Sequence, residues 1–329
     1  MKPIRIELPT DFAIGPVNAY LFTEPEPILI DTGVKSEASW TALVAGLAEQ
    51  GLRVTDLQRI IITHPHVDHC GQAARLAAES GAMVWVADLG VNWLLDFAGM
   101  WQKRLDFYRD IFLPQTGLSP AIQRGVVAYF ESVKETFESV PEQYVQIFEV
   151  NETLLIGGRA WEVIHTPGHA SHQTCFYQPE TRQFISADHL LHRVPTPIVE
   201  RPSQGHSRVP ALPQFLKSLE LVEPLEIEIA YPGHGDLIVG HRALIRQQRE
   251  RIQKRKLECL GLVAVGHETI AELVEIMYAH YPPQARFSGL WMLVGYLDLL
   301  QAEGLVMERP VGEVLHYSVR RSGGAEEQR

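Results

Sequence analysis

A mixed α/β fold with a helical appendage towards the C-terminal end is predicted by three features of the sequence. Short β-branched runs recur through the first two thirds of the chain, each closed by Gly, Pro, Asn or Asp. Between them lie segments whose apolar residues repeat at helical spacing. Four of the β runs lead, directly or through a short Pro-Gly turn, into a histidine or an aspartate. That places polar groups on loops at the carboxyl edge of a sheet, where α/β folds assemble ligand sites.

The elements follow in order. Residues 4–8 (IRIEL), 18–23 (NAYLFT) and 28–31 (ILID) are short strands. Ser36 caps a helix that runs to about Gln50 and stops at Gly51. Residues 59–63 (RIIIT) are a continuous β-branched run, the mark of a strand covered on both faces. QAARLAAES is a helix ended by Gly81, and MVWV is the next strand. Residues 88–141 turn helical and carry Trp93, Phe97, Trp101, Phe107, Tyr108, Phe112, Tyr129, Phe130 and Phe137. Strands resume with VQIFEV, TLLI, AWEVIHT, QTCFYQ and QFISA. Residues 194–210 are Pro-rich and irregular, residues 213–222 are helical, and the strand IEIAY with the turn PGHGD closes a first domain at residue 241.

The character then shifts. RALIRQQRERIQKRK carries Arg242, Arg246, Arg249, Arg251, Lys254, Arg255 and Lys256 against one acid, Glu250, and reads as a long helix. Ile270, Leu273, Val274 and Met277 share one helical face, as do Leu290, Leu293, Val294, Leu297 and Leu300. LVMERPVGEVLHYSV is a two-stranded ribbon. Helix, helix and ribbon make a winged-helix pattern. The expected organisation is a domain at 1–241 with an aromatic helical insertion at 88–141, a basic helix and winged helix at 242–321, and a disordered tail at 322–329.

Composition bounds the function. A chain of 329 residues exceeds one ordinary core. Its net charge of -11 repels nucleic acid and anionic membrane as a whole. Cys70, Cys175 and Cys259 are few and widely spaced, which argues against a disulfide framework and for a reducing compartment. The first residues lack the apolar core of a signal peptide, and no stretch reaches the roughly 18 apolar residues of a membrane span. A cytoplasmic protein is expected.

The chemistry concentrates in His64-Pro65-His66-Val67-Asp68-His69, directly after the buried strand. Four metal-capable side chains in six residues crowd a single ion but can point two ways in a tight turn. Imidazole and carboxylate suit zinc, iron or manganese. Further candidates stand at three later strand ends: His169 in TPGHASH, Asp188 in ISADH and His234 in YPGHGD.

HPHVDHCG resembles the HxHxDH signature of the metallo-β-lactamase superfamily. NAYLF, ILIDTG, TPGH, ISAD and PGHG match its other motifs in order, over about residues 4–240. The resemblance implies a four-layer αββα sandwich with metals at one edge. It implies that His64, His66 and His169 bind one divalent ion, that Asp68, His69 and His234 bind a second, and that Asp188 bridges them. Zinc is the first choice, with iron and manganese as alternatives. An aspartate at the bridging position is similar to the glyoxalase-II-type branch. Ala187 stands where the family usually has Gly, with little change expected. The C-terminal helices and ribbon resemble the branch containing the mitochondrial β-lactamase-like endoribonuclease. The chemistry implied is hydrolysis by a hydroxide shared between two ions, with Asp68 orienting it and passing on its proton.

Other residues carry weaker signals. Trp93, Phe97 and Trp101 are spaced by four, along one helical face, either as core or as a lid that binds an apolar substrate. His172 and His192 are candidates for substrate contact. His172 and His189 lie beside ligands and could orient them. Asp31 reads as structural, with a hydrogen bond near the site; Cys70 reads as a packed thiol. Three activities follow: hydrolysis of an ester, thioester or lactone with an apolar acyl part; RNA or DNA phosphodiester cleavage; or a mononuclear-iron oxygenation like that of persulfide dioxygenases. Acidic charge and the aromatic segment favour the first, with a small-molecule substrate, no membrane and room for a homodimer. Nucleic acid is not favoured.

Overall fold

The central strands are buried on both faces, so each can be sandwiched only between two layers. In the run Ile60-Ile61-Ile62, Ile61 faces one apolar cluster and its neighbours face another. The computed structural model describes residues 2–201, 208–281 and 283–320. The expected tail at 322–329 and residues 202–207 of the expected irregular loop lie outside the described residues.

The first sheet comprises β1 (Ile4–Leu8), β2 (Val17–Phe22), β3 (Ile28–Ile30), β4 (Arg59–Ile62), β5 (Met83–Ala87) and β6 (Val145–Phe148), ordered as in the chain. Strands β1 to β3 are antiparallel, and β3 to β6 are parallel. Its loops carry α1 (Glu37–Glu49), α2 (Val67–Cys70) and α3 (Ala73–Ser80). Ser36 caps α1 by accepting from Ser39 N, and Gly81, at φ 76°, ends α3. Between β5 and β6 runs the insertion: α4 (Val91–Leu95), α5 (Phe97–Phe107), α6 (Leu113–Gln115) and α7 (Pro120–Val133).

The second sheet holds β7 (Thr153–Ile156), β8 (Arg159–His165), β9 (Thr174–Gln178), β10 (Gln183–Ala187) and β11 (Ile229–Pro232), in the order β11-β10-β9-β8-β7. Tyr20 against Tyr231 and Phe22 against Trp161, edge to face at 5.5 and 5.8 Å, tie the sheets together. With helices on the outer faces, the result is the αββα sandwich. The helix expected at 213–222 begins two residues earlier, as α8 (Ala211–Val222), because Pro213 is tolerated in a first turn.

The basic segment forms α9 (His241–Ala264), longer than the charged run itself. Then come α10 (Ile270–Met277), α11 (Pro283–Ala302) and the ribbon β12 (Val306–Val311) with β13 (Val314–Val319). Leu290, Leu293, Leu297 and Leu300 are buried, as their spacing predicts. So is Trp291 on another face of α11, where it meets Tyr108 at 5.4 Å and Phe112 at 5.2 Å. Gly295 lets α11 approach α8; a Cβ there would lie 2.6 Å from that of Leu212. Among the described residues no helix is long and apolar enough to cross a membrane.

Candidate metal centre

Four strand ends bring the polar groups together. Past β4 the chain turns at Pro65, and His66 stands at the start of α2, which carries Asp68 and His69. After β8, Gly168 adopts φ +145° against Phe215, whose backbone would meet a Cβ at 2.5 Å, and delivers His169. After β10, Ala187 at φ +43° turns the chain so that Asp188 points inward. After β11, Gly233 precedes His234, and a Cβ on it would lie 2.2 Å from Asp188 Oδ1.

The seven side chains expected to act together do converge. His66 Nδ1 lies 3.0 Å from His64 Nε2 and 2.8 Å from His169 Nε2. Asp68 Oδ2 lies 3.3 Å from His234 Nε2. Asp188 reaches both groups, with Oδ1 3.4 Å from His69 Nε2 and Oδ2 3.4 Å from His169 Nε2 and 3.6 Å from His234 Nε2. Three triads have their donor atoms within 4.8 Å of one another: His64, His66 and His169; His64, His69 and Asp188; and Asp68, His69 and His234.

An outer layer fixes the ring orientations. His69 Nδ1 donates to Asp31 Oδ2 at 2.8 Å, His169 Nδ1 to the Thr196 carbonyl at 2.9 Å, and His234 Nδ1 to the Pro16 carbonyl at 2.7 Å. His64 Nδ1 donates to Thr63 Oγ1 at 3.0 Å, and that hydroxyl donates to Asp31. Carbonyls and carboxylates only accept, so these bonds set the tautomers and leave each Nε2 lone pair facing the cluster.

The inward atoms fit a cation. His69 Nε2, His234 Nε2 and Asp188 Oδ1 are buried and make no hydrogen bond, while the outward nitrogens of the same rings are satisfied. Such orphaned atoms are costly unless something positive fills the space between them. Burial, with the neighbouring histidines, holds His64 and His66 neutral. Burial would also raise the Asp188 carboxyl, but His234, His69 and His169 hold it far below the usual carboxylate range. Burial lowers His69 and His234 as well, but Asp188 and the neighbouring carboxylates outweigh it and draw both rings towards the cationic form. A buried imidazole and carboxylate set that attracts positive charge in this way suits a cation.

Residues 13–234 match the model of the metallo-beta-lactamase superfamily. The chain belongs to that superfamily. It is 24% identical over 324 residues to the probable metallo-hydrolase YqjP of Bacillus subtilis (strain 168), covering 95% of this chain and 97% of the relative. It is 24% identical over 288 residues to the atrochrysone carboxyl ACP thioesterase of Aspergillus fumigatus, covering 83% of this chain and 72% of that one. Its fold is similar to that of a metallo-beta-lactamase family protein from Thermus thermophilus, with TM-score 0.76 and 24% identity over 97% of this chain and 99% of that one. This metallo-beta-lactamase superfamily chain is thus a hydrolase, with His/Asp clusters able to bind metal.

Around the superfamily site, the other residues singled out from sequence fall in different places. Phe97 and Trp101 stack at 5.2 Å and are buried within the insertion, where Phe97 meets Phe137 and Trp101 Nε1 donates to the Phe130 carbonyl. Trp93 is buried too, but its ring contacts His172 at 6.0 Å. His192 is exposed, 3.1 Å from the Asp236 carbonyl. His189 is buried against Phe215, away from the ligand rings' outward nitrogens, and burial pushes it down to about 3. Asp31 hydrogen-bonds beside the site, as its position suggests, accepting from His69 and from Thr63. Cys70 is a packed thiol that donates to the His66 carbonyl, and burial raises its pKa. The sequence reading missed Arg104 and Glu200, a buried ion pair at 3.1 Å beside His172. Nothing but an arginine among aromatic residues could have signalled it.

Proposed function

We propose that this hydrolase cleaves a carboxylic ester, thioester or lactone with an apolar acyl part, in the cytoplasm, using two divalent cations. His64, His66 and His169 would hold the first, Asp68, His69 and His234 the second, and Asp188 both. The observation that carries this reading is the reach of Asp188, whose two oxygens approach ligand atoms of both groups at 3.4–3.6 Å. Two such cations held there, zinc before iron or manganese, would supply Lewis-acid chemistry: activation of a water and polarisation of a carbonyl. The chain's own part is positional. Asp68 is the more open of the two cluster carboxylates, with its side chain 13% exposed against 3% for Asp188. It would orient the attacking water and take its proton at the carboxylate oxygen that does not face His234.

A small acyl substrate is favoured over nucleic acid. We read α10, α11 and the ribbon as a winged helix whose role is packing. Its second helix, the one that would enter a groove, is buried on more than one face against α8, α9 and the insertion. The likeness to a fungal thioesterase supports the acyl reading.

Metal analysis of the purified chain should find two ions per chain. A panel of aryl esters, acyl thioesters, lactones and short RNAs should show turnover of an acyl substrate that chelation stops and zinc restores. RNA cleavage without acyl hydrolysis would overturn the reading. A single iron with oxygen uptake would point to an oxygenase instead.

A further inference from the structure

Of the five ligand histidines, His66 alone lacks a partner for its outward nitrogen. The other four present Nε2 to the cluster and bind Thr63, Asp31, Thr196 and Pro16 through Nδ1. His66 is turned the other way: its Nδ1 faces His64 and His169, so its outer atom is Nε2, which is buried and makes no hydrogen bond. Metal-bound imidazoles almost always donate their second nitrogen to a carboxylate, a carbonyl or a water.

One side chain beside it has matching unmet needs. The His172 ring stands edge-on to that of His66, at 6.3 Å between centroids. It is only 5% exposed, and neither of its nitrogens has a hydrogen-bond partner. Behind it, His172 Nε2 lies 3.9 Å from Glu200 Oε1, and Glu200 accepts from Arg104 Nη2 at 3.1 Å. The Arg104 guanidinium is in turn held over Trp93 at 4.2 Å and Trp101 at 5.5 Å. A neutral His172 has one accepting and one donating nitrogen. Donor and acceptor therefore agree along the row, from His66 N–H to His172, from His172 N–H to Glu200, and from Arg104 to Glu200.

We propose that His172, backed by Glu200 and Arg104, is the positioning residue for His66, closing the distance by a small ring rotation or through one water. This rests on the metal-site reading above. It gives the aromatic insertion a polar function at the centre, since Arg104 belongs to α5.

The test is the zinc affinity of each site, measured by competition with a chromophoric chelator. His172→Phe keeps the ring shape and removes both nitrogens. It should weaken one of the two bound ions about 10–100-fold, leave the other within about twofold and keep the fold by circular dichroism. His172→Gln, which can still accept and donate, should recover most of the loss. Wild-type affinity at both sites in His172→Phe, or an equal loss at both, overturns the assignment. If His172→Phe does not fold, Glu200→Gln decides: an unequal loss supports the row, and unchanged affinity overturns it. Failure of the underlying reading shows itself separately, as a wild-type chain that takes up no zinc, which overturns both.

Discussion

The metal cluster and the aromatic insertion lie side by side and are held by opposite means. In the cluster, single hydrogen bonds to Pro16, Asp31, Thr63 and Thr196 each orient one ring. In the insertion, orientation comes from many ring contacts, with Trp101 touching Trp93, Phe97 and Phe130 at once. The first arrangement is sparse and directional, and the second is dense and cooperative. A change in the cluster should therefore cost metal while sparing the fold. A change among the insertion's packed rings should cost stability while sparing the metal, whereas Arg104 belongs to the polar row behind His66.

The largest expected effect tests the first half of that contrast. Asp188→Ala removes the carboxylate nearest to both groups of ligands. Losing bound cations forfeits several kcal/mol of transition-state stabilisation, and about 4 kcal/mol is roughly a thousandfold in rate. Hydrolysis should fall at least that far and metal content with it, while the melting temperature stays near that of metal-free wild type. Full activity after metal analysis would refute the shared role of Asp188.

The second half is tested by Trp101→Ala. Truncating a buried Trp typically costs about 3–5 kcal/mol, and Trp101 also donates to the Phe130 carbonyl. Urea unfolding should show a loss of that size with two zinc ions still bound. KM should be equally affected for short and long acyl substrates. A rise in KM confined to long acyl chains, with stability intact, would instead place this ring over the substrate as a lid.

The same contrast explains what could be read from sequence. The seven cluster residues stand at the ends of strands that announce themselves by β-branched runs, and each has a side chain suited to metal. The burial of Leu290, Leu293 and Leu297 was equally legible from helical spacing. The carbonyls of Pro16 and Thr196 were not, because a backbone acceptor leaves no mark on residue identity. Arg104 and Glu200 are 96 positions apart and look like ordinary surface charges until the fold buries them together. The destination of the aromatic face was illegible for a related reason. Spacing shows that Trp93, Phe97 and Trp101 share a side of the chain, and only packing shows that Phe130, Phe137 and Trp291 belong to the same buried network.

The smallest expected effect lies where backbone conformation alone aims a ligand. Ala187 holds φ +43° at a bulge between β10 and β11, and its carbonyl accepts from Gly233 at 2.8 Å. A left-handed conformation costs an L-residue about 1–2 kcal/mol, which Ala187→Gly would relieve. Against that, glycine loses about 0.4–1 kcal/mol through the greater freedom of the unfolded chain, and a buried methyl is worth about 0.8 kcal/mol. The three nearly cancel, so Ala187→Gly should change stability by less than about 1 kcal/mol and leave zinc affinity as it is. Ala187→Val should behave differently, because a β-branched residue at positive φ is a genuine outlier. It should shift the turn, move Asp188 and weaken metal binding. Calorimetry and chelator competition on the two variants would separate these outcomes. Lower zinc affinity in Ala187→Gly would mean that the methyl, and not the turn, holds Asp188 in place.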